Sequence, residues 1–150
     1  MFSIRRTNSE DQTFRELVKL LDKELAVVDG EDHSFYSQFN KIDNIRYVVV
    51  AYDGDKAVGC GAIKEYGRNT LEVKRMYVTH EARKKGIASQ LLNELEKWTV
   101  ELSGTKCILE TGKRQPEAIG LYIKNGYIRI PNYGQYTNVE NSVCFEKKLK

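Results

Sequence analysis

The densest run of chemically capable groups in the chain is Arg83-Lys84-Lys85-Gly86-Ile87-Ala88-Ser89. It follows a β-branched stretch and opens a helical pattern. Peptide N–H groups at a helix start have no intrahelical acceptor, and the helix dipole favours an anion there. Gly86 removes a side chain where a phosphate needs close access to backbone. Ala88 keeps the next approach narrow, and three cations add positive charge. The run reads as a pyrophosphate cradle; it fits a solvated basic loop ahead of an ordinary helix as well. Other chemistries find little footing. Gly54 to Gly59 has P-loop spacing but is followed by Cys60 instead of Lys, and Gly-x-Gly-x-x-Gly does not occur. Gly-x-Ser-x-Gly and His-Glu-x-x-His are absent too. Cys60, Cys107 and Cys144 stand far apart in apolar, strand-like runs, which predicts buried structural thiols in a reducing compartment. With His33 and His80 as the only imidazoles, no metal site is expected.

The elements that must position the cradle follow from periodicity. Phe2 to Arg6 reads as a strand. Ser9 and Gln12 form a capping-box pattern ahead of a helix carrying Phe14, Leu17, Val18, Leu21 and Leu25. Asp29 to Asp32 breaks that helix, and a second short helix is expected around Phe35, Tyr36 and Phe39. Strands Ile45–Tyr52, Ala57–Tyr66 and Leu71–Val78 are separated by turns at Asp53-Gly54-Asp55 and Gly67-Arg68-Asn69. After the cradle, Ile87, Leu91, Leu92, Leu95, Trp98 and Leu102 stripe a long helix that Gly104 ends. Cys107–Glu110 is a short buried strand. Gln115-Pro116 caps a helix that runs through Tyr122 to Asn125-Gly126, and strands at Tyr127–Ile130 and Val143–Leu149 finish the chain.

No repeat or linker divides this order, so residues 1–150 are expected to form one α/β (α+β) domain, a mixed sheet with helices on its faces. A chain of this size buries roughly 68–70% of its unfolded surface, enough for a core without staples. The 24 basic residues against 21 acidic ones leave a net charge of +3, too small a surplus to indicate nucleic acid as partner. No apolar run approaches a membrane span and the first residues carry no secretion signal, so no membrane partner and a cytoplasmic location are expected. Exposed strand edges near the C-terminus leave a homodimer open.

Arg83-Lys-Lys-Gly86-Ile-Ala88 resembles the phosphate-binding signature of the GNAT superfamily of acyl-CoA-dependent N-acyltransferases: Gln or Arg, two residues, Gly, one residue, then Gly or Ala. Ala118-Ile-Gly-Leu-Tyr122, followed by Gly126-Tyr127, is similar to a second family segment, and the element order agrees over essentially the whole chain. Lys84 replaces a Gly found in many members, and Gln115 replaces an Asn. The resemblance implies a mostly antiparallel sheet with helices on both faces, and acetyl-CoA or another acyl-CoA as donor. Met76, Tyr77 and Val78 would hold the pantetheine arm through backbone, with an N–H near Met76 polarising the thioester. Arg83, Lys84, Lys85, Gly86, Ile87, Ala88 and Ser89 would take the pyrophosphate, with Gln115 and Ala118 also near the cofactor.

Acyl transfer to an amine needs a neutral nucleophile, a stabilised tetrahedral intermediate and a proton for the leaving thiolate. Neutralising a lysine-like amine at pH 7 costs roughly 4–5 kcal/mol, so a base is useful. Glu72 is the candidate base. Alternation puts it on one strand face with Lys74 and Met76, and several family members carry a carboxylate on this strand. It fits a surface glutamate paired with Lys74 or Arg75 as well. Glu65 and a water chain are the alternative bases. Tyr122 matches the family tyrosine that donates to the sulfur, and it fits a packed helix residue too. On the acceptor side, Asp29, Glu31, Asp32 and His33 between helices and exposed Tyr133 and Tyr136 near the last strands are the candidates. The expected activity is acetyl transfer from acetyl-CoA to a primary amine of a small molecule. A protein or peptide acceptor, or a noncatalytic acyl-CoA sensor, are the rivals.

Overall fold

A computed structural model describes residues 2–30 and 45–149. Its elements are β1 (Phe2–Thr7), α1 (Gln12–Asp29), β2 (Tyr47–Asp53), β3 (Lys56–Gly67), β4 (Thr70–Val78), α2 (Ile87–Glu101), β5 (Lys106–Gly112), α3 (Pro116–Lys124), β6 (Ile128–Ile130) and β7 (Ser142–Lys148), with 3-10 turns at His80–Ala82 and Gly134–Tyr136. The seven strands form one sheet in the order β1-β2-β3-β4-β5-β7-β6. All neighbours are antiparallel except β4 and β5, which α2 connects as a crossover. The expected second helix and His33 lie outside the described residues.

Two apolar layers hold the helices to opposite faces. Phe14, Leu17 and Val18 of α1 pack on Val48, Val50, Cys60 and Ala62. On the other face, Ile87, Leu91, Leu92 and Leu95 of α2 share a larger core with Val49, Ile63, Leu71, Val73 and, from α3, Tyr122. Burying each such side chain contributes roughly 1.5–3 kcal/mol, and their spacing on each helix is what the periodicity predicted. Charged groups clamp the edges. Arg6 of β1 stacks 4.7 Å over Trp98 and pairs with Glu94 and Glu101 of α2. Buried Glu96 accepts from the Tyr127 hydroxyl at 3.0 Å and pairs with Lys147 at 2.9 Å, tying α2 to β7. The three cysteines are buried and unpaired, and burial pushes the Cys60 thiol up to about 12.

One local expectation is corrected. The α1 cap is Asp11, whose carboxylate accepts from the Phe14 N–H at 3.0 Å; Ser9 is instead buried, with its backbone N–H donated to the Ile45 carbonyl. The capping-box pattern is two residues early because the loop is docked by that bond. At the end of α2, Ser103 takes the left-handed conformation (φ 66°), and the Gly104 N–H closes the helix on the Thr99 carbonyl at 2.8 Å. No helix among the described residues is long and apolar enough to cross a membrane.

Candidate active site

The sheet opens where its parallel pair fails. β4 and β5 keep register only from Thr70 and Lys106 to Glu72 and Ile108, and beyond that rung they diverge. The β5-facing edge of β4 is thereby left for an added, strand-like chain. A bulge deepens the opening. Ala62 faces Lys74 and Cys60 faces Tyr77, so Arg75 and Met76 together oppose Gly61, and Arg75 has φ 59°. Gly61 leaves room there: a Cβ would stand 2.5 Å from Met76 Sδ and 3.0 Å from Leu95, so those side chains would have to shift.

That bulge changes which side chains share a face. Glu72 and Lys74 lie together, 3.6 Å apart, and Arg75 turns to the α1 side, where it pairs with Asp22. Met76 crosses to the α2 side and packs on the larger core, whereas Tyr77 joins the α1 layer. The expected grouping of Glu72 with Met76 therefore fails, because one extra residue inverts the alternation.

One end of the opening is the start of α2. The first helical bond runs from Gln90 N–H to the Gly86 carbonyl at 3.1 Å, so the N–H groups of Ile87, Ala88 and Ser89 have no acceptor within the helix. Gly86 has φ 80°, and a Cβ there would meet nothing within 4 Å. The Lys84 and Lys85 side chains are exposed beside it. Arg83 makes its contacts within the fold. Its guanidinium pairs with Glu24 of α1 at 2.8 Å, donates to the Val78 carbonyl at 2.9 Å and lies over the Tyr77 ring, so it fastens α1 to β4. Ile87 is buried in the core, which leaves its backbone for a ligand, and the Ser89 hydroxyl accepts from Asn125 at 3.1 Å.

The other end is lined by Glu72, Lys74, Glu110, Gln115, Tyr122 and Tyr136, with Asp29, Met76 and Ala118 at its margins. Glu72 is buried; its Oε2 accepts from the Tyr133 hydroxyl at 2.6 Å, and Oε1 faces Lys74. Tyr133 is braced edge-on by Tyr66 and Tyr136. Tyr122 is buried against Tyr127 and Phe145, and burial, with the nearby Glu110 charge, raises its pKa well above the phenol range. Tyr136 is buried against Cys144, so the expectation of an exposed aromatic there is corrected. Asp29, read as one of the acids between helices, is buried too, and its carbonyl accepts from Arg114 at 2.6 Å. Glu65 is exposed and does not line the opening.

Sequence reading overlooked Glu110. Its carboxylate accepts from the Ser142 hydroxyl at 2.7 Å, and burial pushes it up to about 7. The available signal was a lone acid ending the apolar run Cys107-Ile-Leu.

Comparison with known proteins bears on the family and the fold. Residues 14–127 match the model of the acetyltransferase (GNAT) family. The chain is 36% identical over 111 residues to the IAA acetyltransferase of Azospirillum brasilense, covering 71% of this chain and 69% of that one. It is 32% identical over 101 residues to the uncharacterized N-acetyltransferase YsnE of Bacillus subtilis, covering 66% and 67%. A candidate acyl-CoA N-acyltransferase from Klebsiella pneumoniae superposes with a TM-score of 0.84 at 26% identity, over 100% of this chain and 99% of that one. PaiA N-acetyltransferase from Thermoplasma acidophilum, solved with coenzyme A, shares the fold with a TM-score of 0.73 at 20% identity and 99% coverage of both. With the family match spanning α1 through α3 and the opened parallel pair between them, the chain belongs to the GNAT acetyltransferase family and is an acetyl-CoA-dependent acyltransferase.

Proposed function

We propose that the enzyme transfers an acetyl group from acetyl-CoA to a primary amine of a small molecule. The observation that carries this reading is the opened β4–β5 pair, with a bare helix start at one end and a wall of carboxylates and phenols at the other. The residues present fit the donor. Gly86 leaves open space at the helix start, the N–H groups of Ile87 to Ser89 project there, and Lys84 and Lys85 supply charge for a diphosphate. When bound, acetyl-CoA supplies the activated acyl group. The β5-facing edge of β4 around Met76 aligns an extended arm. Tyr122 holds its proton in a buried site and gives it to the leaving sulfur. Asp29, Glu72 and Glu110 line the acceptor end, and their acidity suits a cationic amine.

Coenzyme A release, followed with a thiol reagent, tests this against amino acids, polyamines, aminoglycosides and peptides. Turnover with free small amines is expected. Turnover confined to peptides would replace the small acceptor by a protein one. Tight acetyl-CoA binding with no release for any amine would overturn the acceptor class.

A further inference from the structure

We propose that Glu110, and not Glu72, takes the proton from the attacking amine. The inference rests on the acetyl-transfer reading and assigns its missing base.

The two carboxylates differ in what already faces them. Glu72 meets the Tyr133 hydroxyl with one oxygen and Lys74 with the other. A substrate proton would have to displace a donor that the fold has put in place. Glu110 is held on one side only. Oε2 accepts from Ser142 of β7, which fixes the rotamer, no other hydrogen bond to the carboxylate is found among the described residues, and Glu110 lines the opening. It stands on β5 two residues past Ile108, the last rung shared with β4, so it sits at the mouth of the divergence.

Its surroundings suit the task. Lys74 of β4 lowers its proton affinity. Asp29 of α1 and Glu72 of β4 raise it, and burial raises it most, to about 7. Tyr122 of α3 and Tyr136 complete the enclosure. A base poised near the working pH gives the best compromise between being ionised and holding the proton.

The geometry also couples base to acid. The Glu110 charge is one of the causes that hold up the Tyr122 pKa. As the C–N bond forms, the amine proton moves to Glu110 Oε1 and that charge vanishes. The phenol then releases its proton more readily, to the sulfur as the C–S bond breaks. Tyr122 afterwards regains a proton and Glu110 loses one to solvent, so the proton count closes.

The test begins on ligand-free protein. With glutamate labelled at the side-chain carboxyl carbon, NMR is expected to show one resonance titrating with a midpoint near 7, absent from Glu110→Gln. The glutamine keeps an oxygen for Ser142, and Glu110→Asp serves if it folds poorly. Calorimetry on parent, Glu110→Gln and Glu72→Gln is expected to give acetyl-CoA affinities within about threefold of one another. Coenzyme A release with the best amine of the panel is expected to lose about 10²–10⁴-fold in kcat/KM in Glu110→Gln, together with the acidic limb of the pH profile, which Glu72→Gln retains. Absence of the titrating resonance in the parent, or a Glu110→Gln enzyme that keeps both rate and limb, overturns the assignment. A parent that binds no acetyl-CoA overturns the acetyl-transfer reading along with it, and calorimetry tells this failure from the other.

Discussion

At the scale of single residues, the proposed mechanism depends on two groups whose proton affinities burial raises, Glu110 and Tyr122. Tyr122 is buried and neutral, with a thiolate to serve that needs little help, since a thiol pKa is only about 8.5. Tyr122→Phe is therefore expected to slow coenzyme A release by about 10–10²-fold, the low end of acid catalysis, with acetyl-CoA affinity unchanged by calorimetry. A folded variant with parental turnover would remove the assignment. Glu110 leaves a thermodynamic trace as well. Its folded pKa of about 7 lies above the ordinary 4.5, so between those values the folded protein keeps a proton that the unfolded chain releases. Stability falls as pH rises through that window. Glu110→Gln is expected to be more stable than the parent by roughly 2–3 kcal/mol at pH 8 and equal to it at pH 4, in urea melts. Both residues were present in the sequence, yet only Tyr122 was readable there, through its Ala-x-x-Leu-Tyr context. Glu110 was missed because its role comes from burial and from Ser142, which lies 32 positions away.

At the scale of elements, the positions that matter most are those where regular structure breaks. Gly86 starts α2 at φ 80° with open space around it. Gly86→Ala is expected to cost about 1–2 kcal/mol through the left-handed backbone alone, lowering the melting temperature by a few degrees. The added methyl at the cradle is expected to weaken acetyl-CoA by about tenfold or more in calorimetry. An alanine variant that binds as the parent does would argue against the cradle. Lys84 also sits at positive φ, 66°, where many family members have Gly, so this chain exchanges some backbone ease for a charge beside the cradle. The Arg75 bulge has a similar standing. Alternation of apolar and polar residues located β4 within a residue or two, but it could not show the inserted position that sends Met76 and Tyr77 to opposite layers. Gly61 on the partner strand was its trace, meaningful only once α2 is seen to press on that spot.

At the scale of the whole molecule, a single parallel pair within an antiparallel sheet makes the opening, and α1 and α3 close on it from opposite faces. A donor lying in that opening binds the folded protein alone. At about 100-fold over its dissociation constant, acetyl-CoA is expected to raise the melting temperature by about 5–10 °C, read by scanning calorimetry; no shift would count against the site. Local physics within the sequence determined the element order, the apolar faces of α1 and α2, the turns and the place where α2 starts, because each depends on neighbours a few residues apart. Tertiary structure decided the rest: that Arg83 braces α1 through Glu24, that Glu72 is already occupied by Tyr133 and Lys74, and that Glu110 is raised in proton affinity beside Tyr122. Those outcomes are set by desolvation and by partners tens of residues distant, and neither quantity exists until the sheet has closed around them.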